Sequence, residues 1–356
     1  STIASALGAG TNVTITTDVN SQSIGGTTDS ISSSFPSNNS GGTITVSSPI
    51  TVASSGGGDL SLVADKDIIV YSQISTNPGV QGGNLTLQSK TGVSIGSSAS
   101  IDWDPSSSGQ VQIIASDSGG LDVHGTGSIF VRNGALVVDT TQSPSPADIT
   151  GQISLASGVD LVKNGSGELR LEPSSTSTST DNSIHDIVLN DGSLKLSNPY
   201  ALRTDGSEYS GKIYFRGGAF EQGSATDFSP NFSNEDNQQF KIRDIGNGIT
   251  YSTPLVSQGG SLELLGGFLT LEGDNTYSGS TTVTNGYLEV SGSLSDATSV
   301  HIASSGEYRP RSSDEIGSIS GDGTIDLGCS QSCDLTVGGN NSDSTFSGHI
   351  GGNGTL

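Results

Sequence analysis

The chain has 356 residues, a net charge of −23, 13 lysines and arginines against 36 acidic residues, and no methionine. So few basic residues exclude a nucleic-acid-binding protein, because neutralising phosphates requires clustered lysine and arginine. No run approaches the roughly 20 apolar residues that a spanning helix needs, so we expect no membrane span. The lack of methionine predicts a processed amino terminus, with any signal peptide already removed.

Short apolar–polar–apolar triplets recur along the chain. In chain order they include Val13-Thr14-Ile15, Ile44-Thr45-Val46, Leu60-Ser61-Leu62, Leu85-Thr86-Leu87, Val111-Gln112-Ile113, Ile129-Phe130-Val131, Ile153-Ser154-Leu155, Leu169-Arg170-Leu171, Leu194-Lys195-Leu196, Leu262-Glu263-Leu264, Leu288-Glu289-Val290 and Leu335-Thr336-Val337. Each triplet is typical of a strand with one face in a core, and Gly, Asn, Asp and Ser between them are typical of turns. No segment carries helical periodicity over three turns, so the sequence predicts an all-β protein.

The spacing of the triplets favours a parallel β-helix over a β-sandwich. Strands this short, in a chain with only 31% hydrophobic residues, would bury too little surface in a sandwich. Leu60, Leu85 and Val111 follow one another at intervals of about 25 residues, and a period of this length is typical of solenoids. At this period the chain would build a rod of about 15 coils with loop excursions.

Two parts of the chain resemble known families of exported bacterial proteins. Residues 161–169, 269–279 and 281–290 resemble the passenger-associated repeats of bacterial autotransporters, and residues 83–96 resemble filamentous-haemagglutinin-type exoproteins. The resemblance implies a right-handed parallel β-helix that passes an outer-membrane translocator during export. It also implies display at the bacterial surface or release from it.

The resemblance divides the chain into four segments. Residues 1–160 are expected to form haemagglutinin-like coils, 161–198 a first passenger-type repeat, 199–258 irregular coils or an insertion, and 259–356 further repeats. Because the last segment stops in the middle of a repeat, we expect a truncated, uncapped end that lets copies stack end to end.

Half of the 18 aromatic residues lie in residues 199–258. One interpretation is a local core of larger side chains, and the other is a surface that binds a ligand or partner. The candidate surface comprises Tyr209, Tyr214, Phe215, Arg216, Phe228 and Phe232. The Ser/Thr-rich run Pro173 to Asn182 is predicted to be a solvated excursion or a modification site.

The two cysteines, Cys329 and Cys333, lie close together in the sequence, with Ser-Gln-Ser between them. In an exported protein this spacing indicates a local disulfide, whereas in a cytosolic protein it could be half of a metal site. We favour the disulfide, because a metal site would need two further ligands nearby.

Paired acidic residues are the main candidates for chemistry. They are Asp65 with Asp67, Asp102 with Asp104 on either side of Trp103, and Asp322 with Asp326. Such pairs could hold Ca²⁺ or act as an acid and a base, but aspartate is also common at solvated corners. No basic cluster accompanies these acids and the four histidines are isolated, so we predict no catalytic residue, no cofactor and no metal, with Ca²⁺ as the open alternative.

The sequence therefore predicts an exported bacterial surface or extracellular-matrix protein, a rod-like adhesin or stalk able to stack into fibres. Its expected partners are further copies of itself and a host surface or polysaccharide. The alternative is a β-helix polysaccharide lyase or glycosidase, whose carboxylates would lie on the face of the coils.

Overall fold

A computed structural model describes most of the chain. It covers residues 2–17, 31–34, 42–115, 120–140, 146–172, 183–196, 202, 209–329 and 333–356, with the backbone alone described for 31–34. The predicted excursion from Pro173 to Asn182 lies outside the described residues.

Strands account for nearly all of the regular structure. Helix α1 spans Thr2–Gly8 and a 3-10 helix spans Ser229–Asn231. No helix within the described ranges is both long enough and apolar enough to cross a membrane. The described strands are β1 Val13–Thr16, β2 Ile31–Ser34, β3 Thr43–Val46, β4 Ile50–Val52, β5 Leu60–Ala64, β6 Asp67–Val70, β7 Ile74–Thr76, β8 Leu85–Ser89, β9 Gly92–Ile95, β10 Ser100–Trp103, β11 Gln110–Ala115, β12 Gly120–Val123, β13 Ser128–Val131, β14 Ala135–Asp139, β15 Ala147–Ile149, β16 Gln152–Leu155, β17 Asp160–Asn164, β18 Glu168–Leu171, β19 Ile187–Leu189, β20 Ser193–Leu196, β21 Ile213–Phe215, β22 Ala219–Gln222, β23 Gln239–Asp244, β24 Ile249–Tyr251, β25 Ser261–Gly266, β26 Phe268–Leu271, β27 Thr281–Val290, β28 Ser299–Pro310, β29 Asp314–Ile316, β30 Ser318–Gly321, β31 Thr324–Leu327, β32 Leu335–Val337 and β33 His349–Gly352.

These strands wind into a parallel β-solenoid of about 11 turns, which confirms the predicted parallel β-helix. Among the described pairings, β2 with β3 is antiparallel and the other registered pairs are parallel. The expectation of about 15 coils is wrong. It divided the whole chain by one period, whereas segments such as α1 and the 3-10 helix build no rung.

The chain divides into two compact units. The first contains Ser1–Leu194 and Tyr200–Gly211, and the second contains Lys195–Pro199 and Lys212–Leu356. The four segments inferred from the resemblance remain a prediction.

Three strands form each full rung of the first unit. Strands β5, β8, β11, β14 and β17 stack in one parallel sheet, β4, β7, β10, β13 and β16 in a second, and β3, β6, β9, β12 and β15 in a third. From β3 to β15, each strand therefore pairs with the third strand after it. Leu60 pairs with Leu85 and Leu85 with Val111, so the predicted spacing is the register of the solenoid.

The core of the first unit lies inside the rungs. Alternate residues of each strand point inward, and one such row, fully buried, consists of Leu60, Leu85, Val111, Leu136 and Leu161. Full burial of one such side chain contributes about 1.5–3 kcal/mol to the free energy of unfolding. The Ser, Thr and Gln side chains that alternate with this row face outward. Stacking of short strands thus replaces the wide hydrophobic layers of a sandwich.

One inward position of the first unit carries a charge. Lys163, on β17, is fully buried, and its Nζ donates hydrogen bonds to the carbonyl oxygens of Asn164 (2.7 Å), Gly165 (2.7 Å) and Asp191 (3.4 Å). Burial lowers the pKa of the Lys163 amine to about 8, opposed by the negative charges of Asp139 and Asp191. The lysine donates to three backbone carbonyl oxygens at a corner, at the cost of burying an amine.

The second unit has shorter rungs. Leu262 pairs with Thr281, Thr281 with Val300 and Val300 with Ile319, so the chain returns to the same position sooner than it does between Leu60 and Leu85. The long strands β27 and β28 each pair along two sections, which lie on either side of a register shift. This shift marks a corner that recurs from rung to rung.

Candidate functional site

The aromatic residues that were candidates for a binding surface form a buried core in the second unit. Phe215, Phe228 and Phe232 are at most 6% exposed. The ring centroid of Phe215 lies 5.0 Å from that of Phe232 and 5.3 Å from that of Phe240, at steep interplanar angles. Buried rings offer no surface to a ligand, so the binding interpretation is wrong for these three residues. The alternative, a local core of larger side chains, describes them.

The other three candidates also have partners within the chain. Tyr209, in the first unit, is buried, and its hydroxyl donates a hydrogen bond to the carbonyl oxygen of His185 at 2.8 Å. Arg216, in the second unit, pairs with Glu235 at 2.5 Å and lies 5.8 Å from the centre of the Tyr214 ring. Tyr214 and Arg216 are the members of the candidate surface that reach solvent.

The two cysteines are joined in the second unit. Cys329 and Cys333 form a disulfide, with their Cα atoms 6.1 Å apart and little of either residue exposed. The Sγ of Cys329 lies 3.4 Å from the carbonyl oxygen of Pro310, at the end of β28. The disulfide therefore packs against the preceding rung.

Several of the candidate carboxylates have polar partners. Asp65 pairs with Lys90, and Asp102 forms a two-point ion pair with Arg132 at 2.6 and 2.9 Å. Asp104 is buried and accepts a hydrogen bond from Asn133 at 2.6 Å.

One carboxylate of the remaining acidic pair has a partner, and Trp103 is buried. Asp326 lies 3.4 Å from Arg311, while Asp322 is exposed between β30 and β31. The Trp103 indole is fully buried and donates to the carbonyl oxygen of Gly83 at 2.8 Å. Trp103 therefore cannot stack on a ligand from solvent.

Three potential metal ligands converge in the first unit. Single donor atoms of Asp160, His185 and Asp186 all lie within 4.8 Å of one another. Burial raises the pKa of the Asp160 carboxyl, the charge of Asp186 raises it further, and His185 opposes both. The sequence missed this cluster because the donors come from adjacent rungs. Exposed acidic groups often meet in this way without an ion, so the cluster alone assigns no metal.

A groove at the recurring corner of the second unit is the strongest candidate site. We call it the corner groove; it has a volume of about 560 Å³ and is lined by Asp244, Gly246, Asn247, Gly248, Gly267, Phe268, Asn285, Gly286, Tyr287, Ser304, Ser305, Gly306, Glu307 and Thr324. These residues come from consecutive rungs. The groove therefore follows the direction in which the rungs of this unit stack.

The floor of the corner groove is backbone. Gly267 and Gly286 have φ angles of 85° and 83°, which favour glycine. A Cβ atom on Gly286 would overlap the carbonyl oxygen of Gly267 on the preceding rung. Glycine is thus required both for the turn and for the close approach of successive corners.

A buried carboxylate holds the start of the groove. Asp244 accepts hydrogen bonds from the backbone N–H groups of Gly246 (2.8 Å), Gly248 (3.0 Å) and Phe268 (3.0 Å). These three hydrogen bonds fix the backbone of the corner around the carboxylate. Asp244 therefore positions the backbone of the corner.

Aromatic rings form one wall of the groove. Phe268 and Tyr287 are register partners on β26 and β27, with ring centroids 6.1 Å apart and planes at 89°. The Arg309 guanidinium lies 4.2 Å from the centre of the Tyr287 ring and pairs with Glu307 at 2.5 Å. Tyr287 is 44% exposed, so part of this wall is open to solvent.

Exposed polar side chains form the rim of the corner groove. Asn247, Asn285, Ser304 and Ser305 are exposed. Within the described residues, the side-chain amides of Asn247 and Asn285 have no hydrogen-bond partner. The rim can therefore offer donors and acceptors to a ligand without losing internal contacts.

The corner groove is not among the predicted sites, although the sequence contains a signal for it. Gly267-Phe268-Leu269 and Gly286-Tyr287-Leu288 place a glycine and an aromatic residue at the same position of two successive repeats. Leu269 and Leu288 are buried. Phe268 and Tyr287, which lie between the corner glycine and the buried leucine of each repeat, point outward. A repeated outward aromatic residue in such a chain indicates a binding surface.

The fold and the groove define the chain as a parallel β-solenoid with an aromatic, amide-rimmed groove. Comparisons with protein-family models, curated proteins and solved structures found no match.

Proposed function

We propose that the chain is an exported bacterial surface or extracellular-matrix protein, acting as an adhesin or stalk. The observation that carries this proposal is the parallel solenoid, whose rungs enclose the hydrophobic side chains and leave rows of polar side chains outside. A stack of such rungs presents the same kind of surface many times over. A repeated surface suits an adhesin or a stalk better than an enzyme with a single active site.

Surface charge supports the same role. The net charge of −23 and the many hydroxyl side chains make a hydrated, acidic surface that resists nonspecific association. The resemblance to autotransporter and haemagglutinin repeats adds an outer-membrane translocator as the export partner and the bacterial exterior as the location. A further copy of the chain, or a host or matrix polysaccharide, would be the lasting partner.

We further propose that the protein binds without transforming its partner. The ion pairs of Asp102 with Arg132 and of Asp326 with Arg311 support this, because these carboxylates already have partners within the chain. The alternative, a polysaccharide-cleaving enzyme, would need a carboxyl group free to protonate a leaving group.

An adhesion assay tests the proposed function. Beads coated with the folded chain are expected to bind epithelial cells or polysaccharide films saturably, and beads carrying the same amount of heat-unfolded chain are not. The same polysaccharides are incubated with free protein, with and without Ca²⁺. Equal binding by both sets of beads, or cleavage that is lost in Asp104→Asn, would overturn the proposal.

A further inference from the structure

We propose that the corner groove binds a segment of an uncharged polysaccharide laid along the stack of rungs. This inference rests on the proposed adhesive function and names the ligand class of one surface. Its evidence is the repeated geometry of the groove, the chemistry of its lining and its charge.

The groove repeats one position per rung. Phe268 pairs with Tyr287, Tyr287 with Glu307 and Glu307 with Thr324, so four successive rungs place one outward side chain each along a line. Parallel strands lie about 4.8 Å apart, close to the length of one pyranose unit. A glycan along this line would therefore meet an equivalent position with each sugar.

The wall and the rim match the two faces of a sugar. The C–H face of a pyranose packs on an aromatic ring, and the half-exposed Tyr287 supplies such a ring, with Phe268 packed beside it at a right angle. Sugar hydroxyls need paired donors and acceptors, and the amides of Asn247 and Asn285 offer both. An apolar wall beside a rim of amides and serine hydroxyls suits a carbohydrate better than the hydrophobic face of a peptide helix.

The charges of the groove and of the whole chain favour an uncharged glycan over an acidic one. The residues that line the groove include no basic residue to attract an acidic sugar, and their two acidic residues, Asp244 and Glu307, already have partners. The net charge of −23 repels acidic polymers at longer range. Uronate-rich or sulfated polysaccharides are therefore disfavoured.

Calorimetric titration with defined oligosaccharides tests this inference. The probes are hexasaccharides of β-1,4-glucose, β-1,3-glucose, α-1,4-glucose and β-1,4-mannose, with hexagalacturonate as the acidic comparison. We expect saturable binding of at least one neutral probe and none of hexagalacturonate. Tyr287→Ala and Asn285→Ala should each weaken the binding about three- to tenfold, in line with the loss of one aromatic or hydrogen-bonding contact.

A matched variant controls for the loss of an exposed ring. Tyr71 is 61% exposed on the first unit and lies outside the groove, so Tyr71→Ala should leave the affinity unchanged. The inference is overturned if no neutral probe binds, if hexagalacturonate binds as tightly, or if Tyr287→Ala and Tyr71→Ala bind alike.

The bead assay separates this inference from the proposed function. If Tyr287→Ala with Asn285→Ala leaves adhesion intact and no hexasaccharide binds, the groove inference fails and the adhesin proposal stands. If a neutral hexasaccharide binds through Tyr287 but beads do not adhere, the adhesin proposal fails and the groove remains a glycan site.

Discussion

Replacing Phe215 by alanine is expected to lower the free energy of unfolding by about 3–5 kcal/mol, the usual cost of deleting a buried aromatic ring. Phe215 is fully buried, and its ring meets those of Phe220, Phe232 and Phe240. The alanine variant leaves a cavity that these rigid rings cannot fill. Urea denaturation followed by circular dichroism measures the change.

The neighbouring residue on the same strand is the matched control for Phe215. Tyr214 points to the opposite face of β21, is partly exposed and contacts Arg216. Tyr214→Ala is expected to cost at most about 1 kcal/mol, the contribution of an exposed cation–π contact. Similar costs for the two variants would mean that Phe215 is not a core residue.

Raising the pH from about 8 to 10.5 is expected to stabilise the wild type relative to Lys163→Met. In this window the buried amine of Lys163 has lost its proton in the folded state, whereas the same amine in the unfolded chain keeps it. The unfolded state therefore binds more protons, and the free energy of unfolding rises with pH. A pKa lowered from 10.5 to about 8 corresponds to a gain of about 3 kcal/mol across the window.

Unfolding free energies at pH 7.5, 9 and 10 measure this effect as the difference between wild type and variant. Taking the difference removes the shared contribution of Tyr251, Tyr277 and Tyr308, whose pKa values burial raises. Lys66→Met, at an exposed lysine, is the control for removing one positive charge, and the pH-dependent difference from wild type should be larger for Lys163→Met. A constant difference for Lys163→Met would contradict the buried, carbonyl-bound amine.

The fold was predictable because the sequence repeats what the rungs repeat. The spacing of Leu60, Leu85 and Val111 is the pairing register of the first unit, and the alternation around each leucine fixes which face is inside. The number of turns was less accessible. Dividing the chain length by one period counts every residue as part of a rung, whereas segments such as α1 build none.

The candidate sites were harder to predict, for reasons of geometry. In Ile213-Tyr214-Phe215 every residue is apolar or aromatic, so alternation could not show that Phe215 faces the core and Tyr214 the solvent. Lys163 occupies an inward position that composition would assign to a leucine. The corner groove and the cluster at Asp160 form only when residues from different rungs are stacked, which requires the register.

Pairwise cysteine cross-linking tests the stacked rungs most directly. Thr86 pairs with Gln112 on the next rung, both side chains are partly exposed, and adjacent strands lie about 4.8 Å apart, within the reach of a disulfide. Ser61 pairs with Thr86 from the other side, so Ser61 and Gln112 are two rungs, about 10 Å, apart.

The parallel solenoid predicts that Thr86→Cys with Gln112→Cys forms an intramolecular disulfide on mild oxidation of dilute protein. It predicts that Ser61→Cys with Gln112→Cys does not, as judged by mass spectrometry of the proteolysed chain. Efficient cross-linking of the Ser61 and Gln112 pair, or none between Thr86 and Gln112, would contradict the rung order on which the whole account depends.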